Sequence, residues 1–223
     1  MDQVLDLYFD FDTMQRFFPM LWEGFVLTLQ MTLLVVSIGI GTGLLLALLR
    51  AFGVRLINWP MQFLVDFLRA VPPLVVIMCA YFALPYAGLS LSPFVATVAS
   101  LALILAAFAE EIFWSGITSV NRGQWEAGRA TGLNFFQTLV HIVLPQGVRL
   151  AVPLLTNRTI EISKSTSLGS AISVSEILNQ ATNAQSIVAN PSPLTLAALM
   201  YVVLFVPLVA MSRWVERHYR WQH

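Results

Sequence analysis

The chain has 223 residues, 57% of them hydrophobic and 11% charged, with a formal net charge of +0 and a mean hydropathy of +0.75. Soluble domains carry about 25% charged residues, so this chain lacks the charge to solvate a globular surface. The composition excludes a soluble fold and points to an all-α membrane protein.

The N-terminus is acidic, with Asp2, Asp6, Asp10 and Asp12 against Arg16 alone. A secretory signal begins with a basic region, so residues 1–21 read as an external N-terminal segment. Gly24 to Leu49 then carries no charge and exceeds the roughly 20 apolar residues that cross a bilayer. The first span is expected over 22–49. Ala70 to Ala109 is also free of charge and long enough for two crossings. Pro85-Tyr86-Ala87-Gly88 with Ser92-Pro93 supplies the turn between them, giving spans over 61–84 and 93–117. Cys79 is the only cysteine and lies within this apolar stretch, so no disulfide framework or Cys-based metal site is expected. The third span ends with adjacent acids, Glu110 and Glu111, and then Trp114.

A polar segment of about 118–146 follows. Trp125 to Ala130 contains good helix formers, and Gly132 suits a left-handed helix end. Asn134 with Gln137 three residues on forms a capping-box pair for a second helix over 135–143, expected to stop at Leu144-Pro145. Two short helices joined at a glycine make a knob that fits a groove on another protein, unless they only join two spans.

The fourth span, 147–168, is the most polar. Arg158, Glu161 and Lys164 are spaced by three and fall near one stripe of a helix. Such a stripe faces the bundle interior or a water-filled path rather than lipid. An internal salt-bridge stripe and the lining of a translocation path both stay open. Residues 169–193 are polar, with Glu176 their only charge. They read as a connecting loop with a short interfacial helix at Val174–Asn179, or as a docking surface for an external partner. A fifth span over 194–213 and a tail over 214–223 complete the chain.

Orientation follows from the basic residues. Arg50, Arg55 and Arg69, then Arg122, Arg129 and Arg149, then Arg213, Arg217 and Arg220 fall on one side if five spans alternate. The positive-inside rule makes that side cytoplasmic, with the N-terminus outside and the C-terminus inside.

The polar segment also fits, in spacing throughout, the signature of ABC-importer permeases, E-A-A-x3-G-x9-I-x-L-P. The matching residues are Glu126, Ala127, Gly128, Gly132, Ile142, Leu144 and Pro145, and the one departure is Gly128 in place of the second alanine. Leu21-Trp22-Glu23-Gly24 with Thr28-Leu29, Phe67-Leu68-Arg69-Ala70-Val71-Pro72-Pro73-Leu74, Glu111-Ile112-Phe113 with Gly116-Ile117 and Gly123-Gln124, and Lys164-Ser165-Thr166-Ser167-Leu168 resemble one branch. That branch is the polar amino-acid permeases of the histidine/glutamine/glutamate type, and the likeness covers about 21–213.

The resemblance implies a type I ABC importer permease fold over 22–213, in a bacterial plasma (inner) membrane. It implies partnership with two ATP-binding subunits, a second permease of the same or a sister chain, and a periplasmic or lipid-anchored amino-acid-binding protein. Membrane lipid surrounds the chain, and nucleic acid is no partner. The loop would carry the ATPase contact, with Glu126 and Gly132 within it. ATP and Mg would be bound by the partner ATPase, and the chain has no G-x-x-x-x-G-K-[ST] loop of its own.

Two departures bear on substrate: Trp114 stands where the branch usually has Arg, and Glu110 where it often has Ala. An ion pair to Lys164 or Arg158 is one reading of Glu110. The other is that Glu110 and Glu161 favour a ligand with an amine or guanidinium. The candidate path comprises Glu110, Glu111, Trp114, Arg158, Glu161, Lys164, Thr166 and Ser167. An ion-coupled secondary transporter leaves the loop unexplained and lacks a visible repeat. An intramembrane acid/base enzyme fails because adjacent Glu110 and Glu111 point about 100° apart on a helix.

Overall fold

The computed structural model describes residues 7–220. The regular elements among them are helical: α1 (Phe11–Ala51), α2 (Arg55–Ala70), α3 (Pro73–Met78), α4 (Pro93–Ser119), α5 (Arg122–Ala130), α6 (Phe135–Thr138), α7 (Leu144–Lys164), α8 (Ile177–Val188) and α9 (Ser192–Arg220). Four stretches are long and apolar enough to cross a membrane: α1, α4, Phe135–Ile172 and α9. The segments Arg55–Ala70 and Pro73–Ala87 qualify only together, as a bent pair, which brings the number of candidate spans to five at most.

Several boundaries differ from the sequence expectation. The first helix starts at Phe11 rather than near residue 22. Asp10 caps it, accepting from the Thr13 backbone N–H at 3.2 Å and the Thr13 hydroxyl at 2.6 Å. Residues 11–21, read as a segment apart, are thus continuous with the first span; residues 1–6 lie outside the described part.

The expected span over 61–84 is broken in its middle. Val71 (ψ 133) and Pro72 (ψ 136) are both extended, because each precedes a proline whose ring disfavours the helical region. Helix α3 then restarts with Pro73 and passes through a π turn, Cys79–Ala83, and a 3-10 turn, Leu84–Ala87. Gly88 at φ +83 ends it, within the predicted Pro85–Pro93 turn.

The third difference is in 169–193. A 3-10 stretch, Ser165–Ile172, ends at left-handed Ser173, and the helix that follows is Ile177–Val188, longer and later than Val174–Asn179.

The helices pack as two compact units. One comprises Met1–Val36, Pro72–Ala102 and Glu161–Val209. Its core joins Phe17 and Leu21 of α1, Ile177, Ala181 and Ala184 of α8, and Ala197 and Met200 of α9. The connection 173–191 is pinned there by Glu176, whose carboxylate is 0% exposed. It accepts from the Tyr201 hydroxyl at 2.5 Å and from the Leu178 and Asn179 backbone N–H groups at 3.0 and 2.8 Å. The carboxylate therefore caps α8 and ties it to α9.

The other unit comprises Ser37–Val71, Leu103–Ile160 and Ala210–His223. Its core gathers Ala47 of α1, Ala109, Phe113 and Ile117 of α4, Leu139 and Val143, and Ala151 and Leu155 of α7. Helices α1 and α4 approach closely at Gly43, where a Cβ would stand 2.5 Å from the Ala109 Cβ and 2.8 Å from the Ala106 carbonyl oxygen. Without a hydrophobic driving force inside lipid, such small-residue crossings are how membrane helices gain packing contact.

Candidate functional site

The polar segment is built from the second unit. Asn121 caps α5 by accepting from the Gly123 N–H at 2.8 Å. The helix ends as read from sequence: Gly132 sits at φ +88, where a side chain would be strained. The Leu133 N–H then reaches back to the Gly128 carbonyl at 3.3 Å. Asn134 and Gln137 form the predicted capping box, both bonds at 2.9 Å.

The second helix does not stop at Leu144-Pro145. A π turn, Leu139–Val143, carries it into α7, with the Leu144 N–H bonded to the Leu139 carbonyl. Pro145 has no N–H to place, and proline is tolerated in the first turn of a helix, so it marks the junction rather than the end. The Gln146 amide donates to the Ile142 carbonyl at 2.7 Å beside it.

The signature residues divide by face. Gly128 is buried, and a Cβ on it would lie 2.7 Å from Ile142 Cδ1 and 2.8 Å from Thr138 Cγ2. Helix α5 thus presses directly on the second helix where the family pattern has alanine. Ile142 and Leu144 are half-buried, the latter against the unit's core. Glu126, Ala127, Gly132 and Pro145 are exposed. An aromatic stack supports the inner face. Trp125 lies on Phe135 with centroids 5.4 Å apart, and Phe52, just past the end of α1, meets Phe135 at 5.8 Å and Phe136 at 6.3 Å.

The acids of α4 form a charge cluster in the same unit. Glu110 is 0% exposed and is gripped by Arg50 Nη1 at 3.0 and 3.2 Å. The same nitrogen reaches Glu111 at 3.2 Å, and the Arg50 guanidinium lies 4.7 Å from the Trp114 ring centroid. Arg69 approaches Glu111 at 3.5 Å and Asp66 at 3.4 Å. Arg158 lies 4.0 Å over the Phe108 ring. The cation beside Glu110 is therefore Arg50. The sequence shows Arg50 as a mark of orientation and Arg69 as that and as part of a family-like element, with nothing to say what either pairs with. Their pairing depends on where the ends of α1 and α2 meet α4, which no local spacing reveals.

The remaining path residues are placed separately. In the first unit, Lys164 and Ser167 line a cavity of about 420 Å³ with Tyr201, Val202, Phe205 and Val206. Thr166 is buried and donates to the Ser163 carbonyl at 2.7 Å rather than facing that space. Glu161 is exposed. Tyr201, shared by this cavity and the Glu176 pair, was invisible in sequence because it sits in an uninterrupted apolar run. Among the described residues no group of three or more His, Cys, Asp or Glu is placed to hold a metal ion.

Comparison with known proteins gives a consistent set. Residues 39–221 match the family described as binding-protein-dependent transport system inner membrane component. A probable amino-acid ABC transporter permease, YckA of Bacillus subtilis (strain 168), is 37% identical over 74% of this chain and 73% of its own. A probable glutamine ABC transporter permease, GlnP of the same organism, is 35% identical over 91% of this chain and 94% of its own. The crystal structure of an amino acid ABC transporter with histidines superposes with a TM-score of 0.84 at 28% identity, covering 93% of this chain and 98% of the solved one.

Proposed function

The chain belongs to the family of binding-protein-dependent transport system inner membrane components, a multi-pass permease subunit of an ABC importer rather than its ATPase, and from that premise we propose how it is powered and what it carries. Its cargo is a polar amino acid, as the names of its permease relatives suggest. Two ATP-binding subunits dock on the 118–146 segment, a second permease completes the membrane part, and an external binding protein delivers the substrate. The distribution of basic residues supports a cytoplasmic place for that segment and an external N-terminus.

The observation that carries the coupling role is the division of the signature. Gly128, Ile142 and Leu144 fasten the segment to its own unit, while Glu126 and Gly132 stay on the open face. A carboxylate presented by a braced helix offers a partner a fixed anchor, in the helix-in-groove mode.

For the translocation path, Lys164 and Ser167 are the residues best placed to meet an amino acid, since both line an open cavity. Glu110 and Glu111 belong to the other unit, where Arg50 already neutralises Glu110. The cation-selecting role considered for Glu110 would require that pair to open.

The test is reconstitution of the permease with its ATPase and binding protein in vesicles, with ATPase activity read with and without amino acid. Glu126→Ala should abolish amino-acid stimulation and weaken co-purification of the ATPase. Retention of both would overturn the coupling role. Lys164→Met should lower uptake while the complex still assembles; unchanged uptake would remove Lys164 from the path.

A further inference from the structure

We propose that α2 is not a transmembrane segment but an interfacial helix, lying along the cytoplasmic membrane surface with one face in the headgroup–acyl boundary of the bilayer. The side of the membrane rests on the orientation proposed above; the interfacial placement does not.

Three observations carry it. The first is length and pattern. Helix α2 has 16 residues, about 24 Å at 1.5 Å per residue, so it could take part in crossing the roughly 30 Å hydrocarbon core only as one half of a bent pair with Pro73–Ala87. Its outer arc is strongly apolar and open: Leu56 is 87% exposed, Trp59 75%, Phe63 69% and Phe67 54%. These positions recur at three- and four-residue steps and so share one face. Arg55, Asn58, Gln62, Asp66 and Arg69 fall on a separate edge that runs from the first turn to the last. A helix crossing the hydrocarbon would carry part of that edge to mid-membrane. One lying in the surface keeps all of it at the headgroups, with Trp, Phe and Leu below, which is the composition of interfacial helices.

The second observation is what the helix touches. Its only residue in the buried class is Val65. A span running back along α1 would bury a stripe at successive turns.

The third is where its two ends go. Near the start, the Asn58 amide donates to the Arg50 carbonyl at 3.0 Å. At the far end, Arg69 reaches Glu111 Oε2, the same oxygen that Arg50 holds. Eleven residues separate Asn58 from Arg69, about 16 Å of helix. One end thus meets the Arg50 backbone, and the other meets the carboxylate that the Arg50 side chain also holds. That arrangement fits a helix laid across the end of α1 and α4, not one rising beside them. The occupant of its outer face is therefore lipid at the interface.

The experiment places a nitroxide at Leu56→Cys, Trp59→Cys, Phe63→Cys or Phe67→Cys, one at a time, in a Cys79→Ser background. The assembled transporter is held in vesicles of phosphatidylethanolamine and phosphatidylglycerol. Depth is read from relative collision with oxygen and with a water-soluble nickel complex. All four positions should report one shared shallow depth, in the roughly 5–10 Å range of interfacial helices. A depth that grows steadily, by about 16 Å from Leu56 to Phe67, would make α2 part of a span and overturn the proposal. Shielding from both reagents would overturn it in favour of a protein partner, and nickel access without oxygen access in favour of water. Labelling of Arg55→Cys by a membrane-impermeant thiol reagent reads sidedness separately. Reaction from the external face would overturn the cytoplasmic assignment while leaving the depth result to decide the interfacial one.

Discussion

Arg50 holds Glu110 through both carboxylate oxygens, at 3.0 and 3.2 Å, although the two residues sit 60 positions apart on different helices. Arg50 is 14% exposed and Glu110 fully buried, so the pair is where the desolvation of a carboxylate inside the second unit is offset. Removing one partner of a buried pair costs about 3–5 kcal/mol, mostly from the stranded charge. The two single variants should therefore differ. Arg50→Met leaves Glu110 buried without its cation and should unfold the permease at clearly lower temperature. Glu110→Gln leaves Arg50 with Glu111 and the Trp114 ring and should cost less. Arg50→Met/Glu110→Gln should recover part of the loss. Thermal unfolding of all three in detergent decides it, and equal losses from the two singles would refute the asymmetry.

Gly128 makes a second prediction from a departure in sequence. A Cβ there meets the tip of Ile142 and the methyl of Thr138. Overpacking costs about 1–3 kcal/mol, set against roughly 1 kcal/mol of helix propensity gained by alanine over glycine. Gly128→Ala should thus be mildly destabilising alone and neutral or stabilising with Ile142→Val, which withdraws the atom in contact. The combined variant should also restore ATPase coupling. Failure of Ile142→Val to rescue would mean that Thr138 sets the limit.

Stability against pH should carry two signatures from groups outside the spans. Burial pushes the Glu176 carboxyl above the ordinary range, with the Tyr201, Leu178 and Asn179 hydrogen bonds working against the shift. A raised folded value means its contribution is fully present below the unfolded value and is lost as pH rises through the folded one. Asp10 is opposite: the Thr13 hydroxyl, then its backbone N–H, hold the carboxyl below the usual range. That contribution is present above the unfolded value and is lost as pH falls through the folded one. Glu176→Gln should flatten the decline on the upper side of the carboxylate range, and Asp10→Asn should flatten the decline at acid pH. Unfolding temperature measured across pH checks both, and superimposable profiles for wild type and variants would refute them.

Those predictions also show what the sequence could and could not convey. The spans were legible where charge-free runs coincide with helices, as in α4 and α9. The start of α1 was not, because Asp12, Arg16, Pro19 and Glu23 mask hydropathy while the helix continues. Phe17 and Leu21, four apart and buried, were its trace. The break at Val71-Pro72 was written in the paired prolines but submerged in an apolar run. In the polar segment, Gly132 and the Asn134–Gln137 box were readable because caps are local. Pro145 misled because proline at a helix start and proline after a helix end look alike without the π turn before it. The partners of Glu110 and Glu176, Arg50 and Tyr201, lie 60 and 25 positions away, set by packing rather than spacing.

Phe52 gives the last prediction, since its ring rests on the polar segment while its backbone lies two residues beyond Arg50. It follows Arg50 by two residues and rests on Phe135 and Phe136, while Phe135 stacks on Trp125 of α5. A push on α5 thus bears, through two ring contacts, on the end of α1 that carries Arg50. Ring pairs contribute about 0.5–1.5 kcal/mol each, and Phe52 is 47% exposed, so Phe52→Ala should lower stability only modestly. Its larger effect should be on coupling. In the reconstituted complex, amino-acid-stimulated ATPase should fall several-fold while the basal rate holds, and Phe52→Tyr, which keeps the ring, should restore stimulation. A matched fall in basal and stimulated rates would reduce Phe52 to a packing residue. No change in either would break the link between the aromatic stack and the Arg50–Glu110 pair.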